Sequence, residues 1–239
     1  ECIWVQICED LVDPLAILFS GKPFVENFHW KPERGTVFHV VDRIQKKREA
    51  KIKAEAFFAF HHVNSFEEDG FVFVDIVGYE DAEVIKDFYL SKIKADDSLL
   101  PVGEFRRYKV DPFNGKVEYQ VIGEELLELP RFDYHRFNMD SSYRYVYGVG
   151  INRNKPQSFY NQLVKLDLKT GNSHTWYQDG AYPGEAVFIG RPGRTAEDDG
   201  VLASVVLDEN TGTSFLLILD ASDLTEVARA EVPHPILFG

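Results

Sequence analysis

Apolar and polar positions alternate along most of this chain with a period of two, and one stretch alone repeats near 3.6. Side chains of a strand point to opposite faces in turn, so a period of two predicts half-buried strands. Residues 1–8, 36–42, 105–110 and 116–122 read this way, as do 143–151, 162–168, 173–177, 201–207, 214–219 and 225–232. The stretch from Phe57 to Ile76 reads as strand, turn, strand: an aromatic run reaches His61-His62, an acidic corner ends at Gly70, and a second β-rich run follows. The exception starts at Asp81, which can cap a helix through Glu83, Val84, Phe88 and Lys92, ended by Asp96-Asp97-Ser98. The basic run from Arg43 to Lys53 reads as a solvated turn. Glycine-bearing turns at 70, 115, 171 and 212 lie roughly 40 to 57 residues apart, the spacing of four-stranded propeller blades. That spacing alone does not separate a propeller from a sandwich.

An apolar segment, Leu11 to Val25, interrupts the alternation and is too short to cross a bilayer. It reads either as a buried connector or as a patch whose side chains Leu15, Ile17, Leu18, Phe19 and Phe24 dip into a membrane interface. A net charge of −13 excludes nucleic acid, whose phosphates require Lys and Arg. Two cysteines, Cys2 and Cys8, are too few for a disulfide framework, so a reducing, cytoplasmic setting is expected. No initiator Met is present, and Glu1 to Ile7 reads as a strand already under way, so a fragment is expected.

Adjacent residues of a strand face opposite ways, so His61 and His62 cannot both serve one pocket. Taken alone, a histidine ending an apolar strand is a hydrogen-bonded core residue as readily as a ligand. The run Phe60-His61-His62-Val63-Asn64 through Phe71-Val72-Phe73-Val74-Asp75-Ile76 resembles the histidine signature of the carotenoid cleavage oxygenases, in the animal branch of β-carotene dioxygenases and the retinoid isomerohydrolase. Three later stretches match that family in order: Leu127 to Tyr134, Tyr182 to Phe188, and Glu197 to Leu202 with Leu224 to Ala230.

The resemblance implies an all-β fold, part of a seven-bladed β-propeller with a short helix between strands, residues 1–239 forming one partial domain. It implies a single Fe(2+) per full-length chain on four histidines, with no carboxylate in contact with the metal. Matched residue by residue, His61 is one ligand, and His62 is not. Glu128 and Glu185 fall where the family places acids that accept the free ring N–H of a ligand histidine. The remaining ligands are expected before Glu1 and just past Gly239, so His29, His39, His135, His174 and His234 are not ligands. The implied activity is cleavage of a carotenoid or apocarotenoid double bond with O2. Two rivals are a retinoid isomerohydrolase on the same fold and a non-catalytic binding propeller.

Overall fold

A computed structural model describes residues 2–8, 11–12, 14–19, 21–95 and 100–237; at 2–8, 11, 12, 14 and 16 only the backbone is described. The side chains of Cys2 and Cys8, and the expected helix stop at 96–98, lie outside the described residues. The chain is all-β, apart from helices of six residues or fewer. Strand β1 (Cys2–Cys8), the pair β2 (Leu11–Val12) and β3 (Phe28–His29), β4 (Thr36–Asp42) and β5 (Lys47–Ala54) come first, with helix α1 (Pro14–Phe19) between β2 and β3. Next come β6 (Phe58–Glu68), β7 (Phe71–Tyr79), α2 (Val84–Asp87), α3 (Leu90–Ile93), β8 (Glu104–Asp111) and β9 (Lys116–Val121). A third group holds β10 (Glu128–Arg131), α4 (Tyr134–Phe137), β11 (Tyr145–Gly150), β12 (Gln162–Asp167) and β13 (Ser173–Tyr177). The last holds β14 (Ala181–Pro183), β15 (Val187–Gly190), β16 (Gly200–Asp208), β17 (Thr213–Asp220) and β18 (Glu226–Val232).

These build antiparallel sheets in chain order: β1-β4-β5, β6-β7-β8-β9, β10-β11-β12-β13, and β14-β16-β17-β18 with β15 also on β16. The repeat that unites them is a turn. Asp42, Asp111, Asp167 and Asp220 each close a strand next to the sheet's last strand, and each carboxylate accepts the backbone N–H two residues on. Four residues after each aspartate the backbone turns left-handed, at Lys46, Gly115, Gly171 and Leu224. Asp208 makes the same turn between β16 and β17, accepting the Asn210 N–H with Gly212 left-handed four residues on, whereas Asp69-Gly70 is a two-residue hairpin loop with both φ positive. The regular glycine spacing therefore mixes two turn types, and two turns of the repeat, at Lys46 and Leu224, have no glycine at the left-handed position.

Consecutive sheets pack face to face, with an apolar core in each seam. Along β7, Val72, Val74 and Ile76 join Phe38, Val40 and Tyr108 on one side, and Val77 and Tyr79 join Phe105, Val146 and Leu166 on the other. A third core gathers Tyr147, Leu163, Leu202, Phe215 and Leu217 between the last two sheets. Charged groups cross the same seams. Asp75, fully buried on β7, receives Arg107 through two bonds of 2.8 and 2.7 Å and also the hydroxyl of Tyr143 from the next sheet's approach. Glu197, just before β16, accepts the backbone N–H groups of Arg144 and Tyr145 at 2.9 to 3.0 Å, and burial pushes its carboxyl above the ordinary range. Beside it, Asp198 holds the buried Lys165 at 2.6 Å.

Three expectations are corrected. The basic run is a turn only to Lys46; Lys47–Ala54 is strand, because alternate residues such as Ile52 pack inward while the lysines point out. The single helix from Asp81 is two pieces, broken where Tyr89 becomes extended. That break sends Phe88 inward and the Tyr89 hydroxyl out to Glu26 at 3.2 Å, and Asp81 instead accepts Glu83 N–H at 2.9 Å. The segment from Leu11 to Val25 is not a buried connector where it is described: Leu15, Leu18, Phe19 and Phe24 are 65 to 82% exposed, and Ile17 and Val25 are half-buried. No helix among the described residues is long and apolar enough to cross a membrane.

Removing one partner of a buried pair leaves an uncompensated charge, so Asp75→Ala is expected to destabilise the fold by about 3–5 kcal/mol. Asp199→Ala, which breaks the exposed pair with Arg191, is expected to cost no more than about 1 kcal/mol. Urea midpoints of the two variants check the contrast; equal shifts would show that the Asp75 clasp does not hold its seam.

Candidate functional site

The first strand of each sheet after the opening one is irregular, and each irregularity carries a candidate residue. On β6 the register slips once between Phe58 and His61 and again between His62 and Ser65. His61 pairs opposite Val77 and His62 opposite Ile76, whose side chains belong to different cores, so the two imidazoles face opposite ways as the period of two requires. On β10 the register slips between Glu128 and Arg131, and Leu129 sits at φ +49°. A left-handed non-glycine residue is costly and persists only where its surroundings impose it. The Leu129 N–H donates to the carboxylate of Glu128 at 3.0 Å. The third irregularity separates β14 from β15, and Glu185 lies in it, with Gly184 anchored to Val205 and Ser204 on β16.

His61 and Glu128 meet across the seam between their sheets. Nδ1 of His61 donates to Oε2 of Glu128 at 2.7 Å, which leaves Nε2 as the free ring nitrogen. The carboxylate is 1% exposed, a placement tolerated only because every lone-pair direction it uses is met. Its second oxygen, Oε1, receives the hydroxyl of Tyr79 at 2.5 Å. Burial and the Glu128 charge hold that hydroxyl far above its ordinary pKa, so Tyr79 stays a proton donor at any working pH. The Glu128 hydrogen bond, opposed by burial and reinforced by the charges of Glu128 and Glu185, raises the His61 pKa.

This pair lines a cleft of about 710 Å³ whose walls are chiefly apolar, among them Phe60, Phe88, Leu129, Phe159 and Leu237. Glu185 lines the cleft too, but its carboxylate takes the guanidinium of Arg131 at 2.7 Å and stays half-exposed. Ile236 is held by Ser214, its N–H reaching the hydroxyl oxygen at 2.8 Å, which brings the segment 236–237 to the same cleft. His29, His39, His135, His174 and His234 do not line it. Among the described residues no group of three or more His, Cys, Asp or Glu side chains converges to hold a metal. The donor set still fits one quarter of a four-imidazole site: one imidazole with an acid behind one ring nitrogen and the other nitrogen turned away from that acid. Sequence reading missed Tyr79 and Arg131. Tyr79 ends an apolar strand and looks like any core aromatic, and only the position of Glu128 gives it a role.

The model of the family described as retinal pigment epithelial membrane protein, RPE65, matches residues 7–239. Carotenoid isomerooxygenase of Galleria mellonella is 30% identical over 231 residues, covering 91% of this chain and 44% of that protein. Human β,β-carotene 15,15'-dioxygenase is 31% identical over 256 residues, covering 91% of this chain and 46% of the relative. Among solved structures, cobalt-substituted Synechocystis ACO superposes with a TM-score of 0.86 at 27% identity, over 98% of this chain and 48% of that one. An ACO/RPE65 chimera gives 0.86 at 26% identity with the same coverage. The chain thus spans about half the length of the relatives it matches. A family match running from residue 7 to the last residue, joined to one shared fold, settles membership: the chain belongs to the retinal pigment epithelial membrane protein family of carotenoid oxygenases.

Proposed function

We propose that this chain is part of an iron-dependent carotenoid cleavage oxygenase, in which His61 supplies one of four imidazole ligands to Fe(2+). The observation that carries the reading is the His61–Glu128 contact at 2.7 Å opening onto an apolar cleft. An imidazole held from behind by a carboxylate is the usual arrangement of a histidine that binds metal through its other nitrogen. Glu185 is read as the acid behind a histidine just past Gly239, and Arg131 holds its carboxylate beside the cleft. The approach of Ile236 and Leu237 to that cleft supports this placement. Residues 1–239 are then a partial domain, contributing sheets to a seven-bladed ring whose axis the irregular first strands line.

Ferrous iron, when bound, supplies the affinity for dioxygen and the electrons that protein side chains lack. The work of this chain is binding and orientation. Phe60, Phe88, Phe159 and Leu129 offer a polyene the apolar contact that strips it of water, and His61 marks the point on the wall where the reacting double bond must lie. Peripheral membrane contact through Leu15, Leu18, Phe19 and Phe24, with Ile17 beside them, is consistent with their exposure and gives a lipid-dissolved substrate a route in.

Three tests follow on the full-length protein. Incubated with β-carotene under oxygen, it is expected to give two carbonyl products, each carrying one oxygen atom at the cut bond. Conversion of a retinyl ester with no oxygen uptake would instead support the isomerohydrolase, and no turnover of either would support a binding propeller. His61→Ala is expected to abolish iron binding, and Glu128→Gln to weaken it by about 10- to 100-fold. Iron content unchanged by His61→Ala would remove this residue from the site. In the third test, Leu18→Asp with Phe19→Asp should lower the fraction sedimenting with phosphatidylcholine vesicles while leaving activity on detergent-dissolved substrate intact. Unchanged sedimentation would take the membrane role from this patch.

A further inference from the structure

The Glu128 carboxylate has more freedom than its task allows. The terminal torsion of a glutamate is broad, so neither rotamer preference nor a single bond to His61 sets the plane of its oxygens. On Oε2 two donors converge, His61 Nδ1 and Leu129 N–H. Were they alone, the group could pivot about Oε2 and carry the imidazole with it. The opposite oxygen is held by the Tyr79 hydroxyl at 2.5 Å, a length typical of a hydroxyl donating to an ionised carboxylate.

We propose that Tyr79 is a positioning residue of the metal site, its hydroxyl locking the Glu128 carboxylate in the orientation that aims the free nitrogen of His61. The proposal rests on the metal-site reading above and extends it to a residue on a third strand. Tyr79 is itself immobile. It ends β7 opposite Phe58, is 6% exposed, and its ring stands edge-on to Phe60 with centroids 5.8 Å apart. Gly103 makes the room: a Cβ there would lie 3.1 Å from the Tyr79 ring and 2.3 Å from Val77. Tyr160, also buried, stands behind the hydroxyl and lines the cleft. The three anchoring donors come from β7, from β6 and from the left-handed bulge on β10, so the carboxylate is triangulated by two sheets. A tyrosine whose only task was packing would not need its oxygen at the one buried carboxylate of the cleft.

Tyr79→Phe removes the oxygen and keeps the ring, so it separates aiming from packing. In the full-length protein we expect it to lower affinity for Fe(2+) and Co(2+), read by chelator competition, by about 10-fold. The visible absorption bands of the Co(2+)-loaded form should shift, and the thermal midpoint of the metal-free form should stay within a few degrees. On a Glu128→Gln background the same substitution should cost little further affinity, because the group it positions is gone. Unchanged affinity and an unchanged Co(2+) spectrum would overturn the proposal. So would a loss of equal size with Glu128→Gln present, or a fall confined to the thermal midpoint. Metal retained by His61→Ala would instead strike the underlying reading, and this inference with it; the two failures are told apart by which variant keeps its metal.

Discussion

Apolar contact is non-directional, so a stack of sheets held together by valine, leucine and phenylalanine faces alone could slide by a residue at little cost. What fixes one sheet on the next is a set of carboxylates that cannot be left bare. Asp75 and Glu128 cross the seam between the second and third sheets, and Glu197 crosses the next. Asp75 and Glu128 accept donors from both sides and Glu197 from the sheet opposite, so each would be stranded in an apolar seam if the sheets shifted. An unmet buried carboxylate is a far larger penalty than a few lost methylene contacts. The candidate site is therefore one of the seam clasps, the one that opens onto the cleft. Its geometry is inherited from the packing of whole sheets, which is why a bond between two side chains can be held to hydrogen-bond precision.

The outer strands were legible because they obey the rule used to read them. Strand 36–42 is as expected, and 105–110, 116–122, 162–168 and 173–177 differ from the structure by a residue or less at each end. Strand β5 was missed because five exposed charged side chains hid the few that turn inward. The strands β10, β14 and β15 were missed because they are three or four residues long and interrupted, and a two-residue period cannot be counted over so short a run. Those are the strands that carry Glu128 and flank Glu185. The helix expected from Asp81 shows the opposite error: a sound periodic pattern broke at Tyr89, where tertiary demands on Phe88 and Tyr89 outweighed local preference.

The site was legible in another way, through motifs. Residue by residue, the family resemblance put His61 and Glu128 together, and the structure brings them to 2.7 Å from positions 67 residues apart. Nothing in hydropathy could have done so, since a lone glutamate before a Leu-Pro pair reads as a surface acid. Glu185 was named on the same grounds, yet its partner within the chain is Arg131 rather than a histidine. The motif Glu197-Asp198-Asp199 was noticed as a family mark and given no task; its first two acids prove to be the clasp of the last seam.

Bulges explain why the informative residues are those that elude pattern. A regular strand offers its side chains in two fixed directions, both already claimed by the seams on either side. To aim a group along the edge of the sheet, into the space where the first strands of successive sheets converge, the backbone must add a residue or turn left-handed. It does so around His61, at Glu128-Leu129 and at Gly184-Glu185. Each departure spends ladder hydrogen bonds and, at Leu129, backbone strain. It persists because the freed groups find partners at once: the Leu129 N–H in Glu128, Gly184 in Val205 and Ser204. Irregularity and function share a cause here, since the same break that defeats a period of two is what lets a side chain leave the seam and face the cleft.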